Sequence, residues 1–113
     1  MPTMPKTVIV YRDAAGVEPF TDWLNGLRDA RTRRRILQRL FRLESGNYGD
    51  YKRIGAGVSE LRFFFGPGYR VYYSLEHENV ILLLIGGTKD TQHRDIQTAK
   101  AYSADYRRRE SGD

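Results

Sequence analysis

The spacing of apolar positions changes several times along the chain, and each change marks an element. Thr7-Val8-Ile9-Val10-Tyr11-Arg12 is β-branched and aromatic and predicts a strand. After a turn-rich break at Asp13–Gly16, Glu18-Pro19 opens a helical pattern. Phe20, Trp23, Leu24 and Leu27 then fall at i, i+3, i+4 and i+7. Asp29 is placed to cap a second helix, with Ile36, Leu37, Leu40, Phe41 and Leu43 as its apolar positions and Gly46 as its stop. Asn47–Gly57 is polar and Gly-rich and reads as loop. Val58–Phe65 and Tyr69–Leu75 read as strands around Gly66-Pro67-Gly68, and Glu76–Asn79 as a second turn. Val80–Ile85 is a continuous apolar run, the pattern of a central strand covered on both faces, and Gly86-Gly87 ends it. A last helix is predicted from Thr91 to about Arg109, with Ile96, Ala99, Tyr102 and Tyr106 at helical spacing and Ser111–Asp113 as a frayed end.

The order β-α-α-β-β-β-α predicts an α+β fold: a small, mostly antiparallel four-stranded sheet with the helical hairpin packed on one face, and a C-terminal helix. The first strand joins the sheet after a helical crossover. The other face is expected to stay largely open. The expected core is Phe20, Trp23, Leu24, Leu27, Ile36, Leu40, Leu43, Leu61, Phe63, Val71, Tyr73, Leu82 and Leu84.

Turn length decides which side chains share a face. A two-residue loop, Pro67-Gly68, would put Arg70 on the greasy face. A three-residue loop, Gly66–Gly68, sets Phe64 opposite Arg70. Leu61, Phe63, Phe65, Val71, Tyr73 and Leu75 then face one way, and Arg62, Phe64, Arg70, Tyr72 and Ser74 the other. A one-residue slip flips a strand, and burying an unpaired arginine is costly, so the odd-length loop is preferred. Pro-Gly also suits a type II turn.

Composition narrows the class. The 113 residues, 1–113, read as a single domain. There is no cysteine, so no disulfide and no thiolate site. No apolar run approaches the ~18 residues of a membrane helix, and Met1–Lys6 has no apolar leader segment; a cytoplasmic location is expected. The net charge is +5, and of nineteen cations only Lys6, Lys52, Lys89 and Lys100 are lysine. Arginine offers a fixed charge and a planar fork suited to phosphate or carboxylate, which points to nucleic acid or an acidic protein as partner.

Three features carry candidate chemistry. Arg62 and Arg70 with Tyr72 form an anion-binding stripe; alternatively each arginine pairs with a local acid such as Glu60 or Glu76. Gly86-Gly87-Thr88-Lys89-Asp90-Thr91-Gln92-His93 lies between the central strand and the last helix, where small residues admit a ligand to the backbone; alternatively it is an ordinary turn with Thr91 as N-cap. It lacks the P-loop order. Arg31, Arg35, Arg39 and Arg42 line one side of the second helix, as a solvated face or as a docking surface for an acidic partner or RNA backbone. His77 and His93 make no metal site, and neither a Ser-His-Asp order nor a carboxylate pair is present for catalysis.

Several stretches together resemble one toxin group: Phe20-Thr21-Asp22-Trp23-Leu24; Arg35-Ile36 through Arg42-Leu43; Gly46-Asn47-Tyr48-Gly49-Asp50-Tyr51-Lys52; Gly57-Val58-Ser59-Glu60-Leu61-Arg62; Gly66-Pro67-Gly68-Tyr69-Arg70-Val71-Tyr72; and Gly86-Gly87-Thr88-Lys89-Asp90-Thr91-Gln92. The chain is similar over residues 6–106 to the RelE/ParE superfamily of type II toxin–antitoxin toxins, and within it to the HigB-like, phage-related addiction-module killers. The predicted element order agrees with that fold. The resemblance implies an endoribonuclease that cuts mRNA on the translating ribosome, with no metal or organic cofactor. It also implies a cognate antitoxin, in this branch a helix-turn-helix protein of HigA type. By matching position it implies Arg62, Arg70 and Lys89 as catalytic residues and Lys52, before the hairpin, as a substrate contact. Tyr72 and His93 are added as substrate contacts. The group's pattern is Gly-Gly-Asp-Lys, and here Thr88 stands in place of the Asp. ParE-type relatives share the fold, lack the nuclease residues and poison DNA gyrase, which gives a second reading; an inactive prophage relic that only binds its antitoxin gives a third.

Overall fold

The computed structural model describes residues 6–112; Met1–Pro5, most of the stretch read for a leader, and Asp113, in the expected frayed end, lie outside them. The elements are β1 (Thr7–Val10), α1 (Pro19–Gly26), α2 (Ala30–Glu44), β2 (Tyr51–Gly55), β3 (Val58–Arg62), β4 (Tyr69–Glu76), β5 (Val80–Thr88), a short 3-10 turn (Lys89–Thr91) and α3 (Gln92–Glu110). They form one five-stranded sheet in the order β1-β5-β4-β3-β2. Among the described residues only the β1–β5 pairing is parallel; the two helices carry the chain from β1 at one edge to β2 at the other, and the antiparallel strands β2–β5 lead back beside β1.

The local signals act where they were read. Pro19 sits in the first turn of α1, where its missing N–H costs nothing. The Asp29 side chain accepts from the Arg31 N–H and caps α2. Gly46 (φ +81°) ends α2 in the left-handed conformation and donates its N–H to Leu43 O.

The sheet has five strands, not four, because residues 51–55 are not loop. They pair antiparallel with β3 as an edge strand, joined by Ala56-Gly57. Both turn residues have positive φ (+55° and +77°), the geometry of a type I′ hairpin. An edge strand with solvent on most sides needs little apolar alternation, so Tyr51-Lys52-Arg53-Ile54 shows none to read.

The second correction concerns the face expected to be open. α1 and α2 cover one face, packing Phe20, Leu24, Ile36, Leu40 and Leu43 on Leu61, Phe63, Val71, Tyr73, Ile81 and Leu83. α3 covers the other, setting Ile96, Ala99, Tyr102 and Tyr106 on Val58, Tyr72, Leu82, Leu84 and Tyr11. The apolar run of β5 requires this second layer, because it presents Leu82 and Leu84 to the face opposite Ile81 and Leu83. Of the expected core, all but Trp23 and Leu27 are buried, and these two pack half-buried against the helical-hairpin cluster. Leu75 keeps its expected face but is 45 % exposed, since the helices do not reach that end of the sheet.

The β3–β4 register also differs in detail. Arg62, not Phe64, lies opposite Arg70, and Phe63 donates its N–H to Tyr69 O. The connection is therefore longer, with a turn closed by Gly68 N–H on Phe65 O and Phe64 turned out into solvent. The shift is by two residues, so the face assignment survives: Arg62 and Arg70 share a face, on the side away from the helical hairpin.

Burial has a consequence at high pH. Burial pushes the Tyr73 hydroxyl from 10.0 up to about 12, and burial plus the Asp105 contact does the same for Tyr11. Tyr72 is also pushed up, by burial first and then by the charge of Glu60. These groups stay neutral in the folded chain while their unfolded counterparts ionise, so their contribution is full below pH 10 and is lost as pH rises toward 12. A phenolate absorbance titration should show some tyrosines ionising only together with the loss of circular dichroism. Smooth ionisation of all tyrosines with the fold retained would contradict the burial described.

Candidate functional site

The candidate residues lie on and beside the α3 side of the sheet, around the first turn of α3. Lys52 pairs with Glu60, Glu60 with Tyr72, and Arg62 with Arg70, so these side chains stand in adjoining rows on one face. Lys89 follows β5, and its N–H donates to Gly68 O at 2.8 Å. A Cβ on Gly68 would lie 3.3 Å from Lys89 Cβ and 3.6 Å from Arg70 Nη1. Gly68 (φ +78°) thus brings the Lys89 stem and the Arg70 head to one spot, which a larger residue would fill.

Accessibility sorts the six residues. Lys52, Lys89 and His93 are exposed, and Arg62 is half-buried. Arg62 is held on both its main chain and its side chain. Asp50 accepts from its Nε and Nη2 at 3.2 and 3.0 Å, and the carboxylate holds the guanidinium above its usual value. From α2, Arg39 donates to the carbonyls of Arg62 and Asp50 and lies over the Phe63 ring, 4.8 Å from its centroid. Burial lowers the Arg39 value first of all, though the residue is tied to carbonyls and an aromatic face. Arg35 likewise lies over Phe65, at 3.6 Å. The arginine side of α2 is therefore partly structural: Arg35 and Arg39 fasten the β3–β4 connection, while Arg31 and Arg42 stay exposed.

Arg70 and Tyr72 differ from expectation. Arg70 is on the expected face but only 7 % exposed, because α3 and its leading turn cover it. Its Nη1 donates to Gly68 O and Tyr69 O, and its Nε lies 3.7 Å from Oε1 of the fully buried Glu60. The Glu60 Oε2 in turn accepts from Gln92 Nε2 at 2.8 Å. The pairing with a local acid, one of the two readings of the sequence, is thus the one realised for Arg70. Tyr72 is fully buried and offers no surface to a substrate, which corrects its placement as a substrate contact.

Gly86-Gly87 admits the chain's own side chains rather than a ligand. A Cβ on Gly86 would fall inside the Trp23 ring of α1, and one on Gly87 would overlap the Asp95 carboxylate of α3. Thr88 takes the N-cap position of the 3-10 turn, where its N–H donates to the Thr91 hydroxyl, and Thr91 donates on to Asp95. Sequence reasoning named Glu60 as an acid that could pair with these arginines but missed Asp50 and Gln92 as parts of this cluster. Glu60 and Gln92 are 32 positions apart, and only the register of β3 against β4 together with the docking of α3 unites them.

The arrangement offers an anion the exposed cations Lys52 and Lys89 and the half-buried Arg62, held by Asp50, at the rim of a buried cation, Arg70. Among the described residues no group of three His, Asp or Glu side chains is placed to hold a metal ion. No helix among them is long and apolar enough to cross a membrane.

Residues 22–108, from within α1 to near the end of α3, match the protein family described as "Phage derived protein Gp49-like (DUF891)". A Haemophilus influenzae protein described as "Uncharacterized protein" is 43 % identical over 81 residues, which cover 72 % of this chain and 82 % of that protein.

Proposed function

The chain belongs to the phage-derived Gp49-like (DUF891) family, and we propose that it is the toxin of a type II toxin–antitoxin module, of the RelE/HigB kind, acting in the cytoplasm as a metal-free mRNA endoribonuclease on the ribosome. The observation that carries this reading is the gathering of Arg62, Arg70, Lys52 and Lys89 on and beside one sheet face next to the first turn of α3. In metal-free RNA cleavage the 2′-hydroxyl attacks the adjacent phosphate, the P–O5′ bond breaks, and a cyclic phosphate and a 5′-hydroxyl result. The step needs a base, cations for the dianionic phosphorane and an acid for the leaving oxygen. Arg62 and Lys89 are the catalytic residues in this account, meeting the phosphorane oxygens. Lys52 holds a neighbouring phosphate, and exposed His93 on the first turn of α3 can move a proton. Arg70 acts as a positioning residue. Through Gly68 it fixes the loop against which Lys89 is held. Thr88 in place of the group's Asp is compatible with this role, because Thr and Asp both suit an N-cap position.

The partner is an antitoxin, helix-turn-helix and HigA-like, encoded alongside. The second reading, a non-nuclease inhibitor of DNA gyrase, is favoured by the burial of Tyr72 and Arg70, which withdraws two of the six candidate residues from contact.

Induced expression tests the toxin reading. Growth should arrest within a few generations, and co-expression of the neighbouring gene should relieve the arrest. Normal growth with the folded protein accumulated would contradict it.

A further inference from the structure

The uncovered part of the sheet lies on the helical-hairpin side, past the reach of α2. It is a cleft of about 420 Å³ walled by Tyr48, Tyr51, Arg53, Ser59, Tyr73 and Leu75. Tyr48 stacks on Tyr73 (6.2 Å between centroids, 12° between planes) and tilts against Tyr51 at 5.4 Å. Tyr51, 41 % exposed, is the outermost ring of the set. Arg53, Ser59 and Tyr73 stand in one cross-strand row, and among the described residues no acidic one lines the cleft.

We infer that this cleft is a stacking subsite for an unpaired base of single-stranded RNA. The inference rests on the nuclease reading and extends it to the far side of the sheet edge. Three arguments favour a nucleotide over other occupants. An open tyrosine ring backed by two others gives a π-face that any base can use, and an adjacent arginine without an acidic neighbour suits the phosphate that follows the base. The volume is within the range of small-ligand sites. Successive residues of a strand point to opposite faces, so on the edge strand β2 Tyr51 and Arg53 face the cleft while Lys52 faces the candidate site. A single strand draped over β2 would contact both at once, placing a base in the cleft beside the phosphates held on the other face. A duplex is too stiff and too wide to follow that edge.

The test is fluorescence anisotropy with a short, labelled, single-stranded 2′-O-methyl oligonucleotide. This probe lacks the attacking hydroxyl, so binding is read without cleavage. Tyr51→Ala should weaken binding about tenfold, with an unchanged thermal melt, and Tyr51→Phe should bind like wild type. A blunt duplex of the same sequence should compete poorly. Equal affinity of folded Tyr51→Ala and wild type would overturn the inference, as would an absence of oligonucleotide binding by wild type. Unchanged oligonucleotide binding by Tyr51→Ala together with loss of antitoxin binding would assign the cleft to a protein strand instead. The nuclease reading fails separately: oligonucleotide binding that depends on the Tyr51 ring, in a protein that leaves cellular mRNA intact, keeps the subsite and removes the cleavage.

Discussion

Arg70→Ala is expected to lower the melting temperature by more than about 10 °C, the largest loss of stability among the site substitutions. The substitution removes the cation facing Glu60, which is fully buried and has Gln92 as its hydrogen-bond partner. A buried charge left without its counter-ion costs roughly 3–5 kcal/mol. The 3.7 Å separation of Arg70 Nε and Glu60 Oε1 is loose for an ion pair, which places the expected loss toward the lower end of that range. The effect belongs to the pair, so Glu60→Leu combined with Arg70→Met, apolar on both sides, should melt well above Arg70→Ala alone. A melt for Arg70→Ala within a few degrees of wild type would mean that Arg70 is not structural. A loss of toxicity in that still-folded variant would then mean loss of a phosphate contact.

Arg62→Ala and Lys89→Ala should behave in the opposite way, each lowering the rate of RNA cleavage by about 100-fold or more while shifting the melt by only a few degrees. Lys89 is exposed, and the Arg62 side chain is half-exposed in a pair with Asp50 that solvent screens. Neither substitution uncovers a buried charge. What each removes is a cation whose contact with the phosphorane strengthens in the transition state, so the loss falls on the chemical step rather than on folding. Because Arg39 and Asp50 hold Arg62 in place, Arg62→Lys should recover only part of the rate: a lysine keeps the charge but loses the fork that Asp50 orients. Growth arrest and cleavage for each variant, set beside its thermal melt, separate these two classes of substitution.

The helices were legible because each carries both a start signal and an apolar period: Pro19 and the Phe20–Leu27 stripe for α1, Asp29 and Gly46 around α2. The pairing of Arg62 and Arg70 on one face was legible from the parity of the turn, although Phe64 leaves the strand and shifts the register by two. β2 was not legible. Its pairing partner supplies the backbone bonds, and its side chains other than Ile54 are largely exposed, so no apolar alternation marks Tyr51–Gly55. The covering of the second face was written in β5, whose unbroken apolar run needs a layer on each side, and in the Ile96, Ala99, Tyr102 and Tyr106 spacing of α3. That the layer would also bury Tyr72 and the Glu60–Arg70 pair depends on where α3 docks along the sheet. A single element's period does not encode that position.

Primer extension on cellular mRNA after induction bears on the proposed function with the fewest intervening assumptions. Wild-type protein should produce new 5′ ends inside translated reading frames, and these should vanish in the folded Arg62→Ala and Lys89→Ala variants. Intact mRNA accompanied by growth arrest and broken DNA would contradict the nuclease account and give the fold to gyrase inhibition instead.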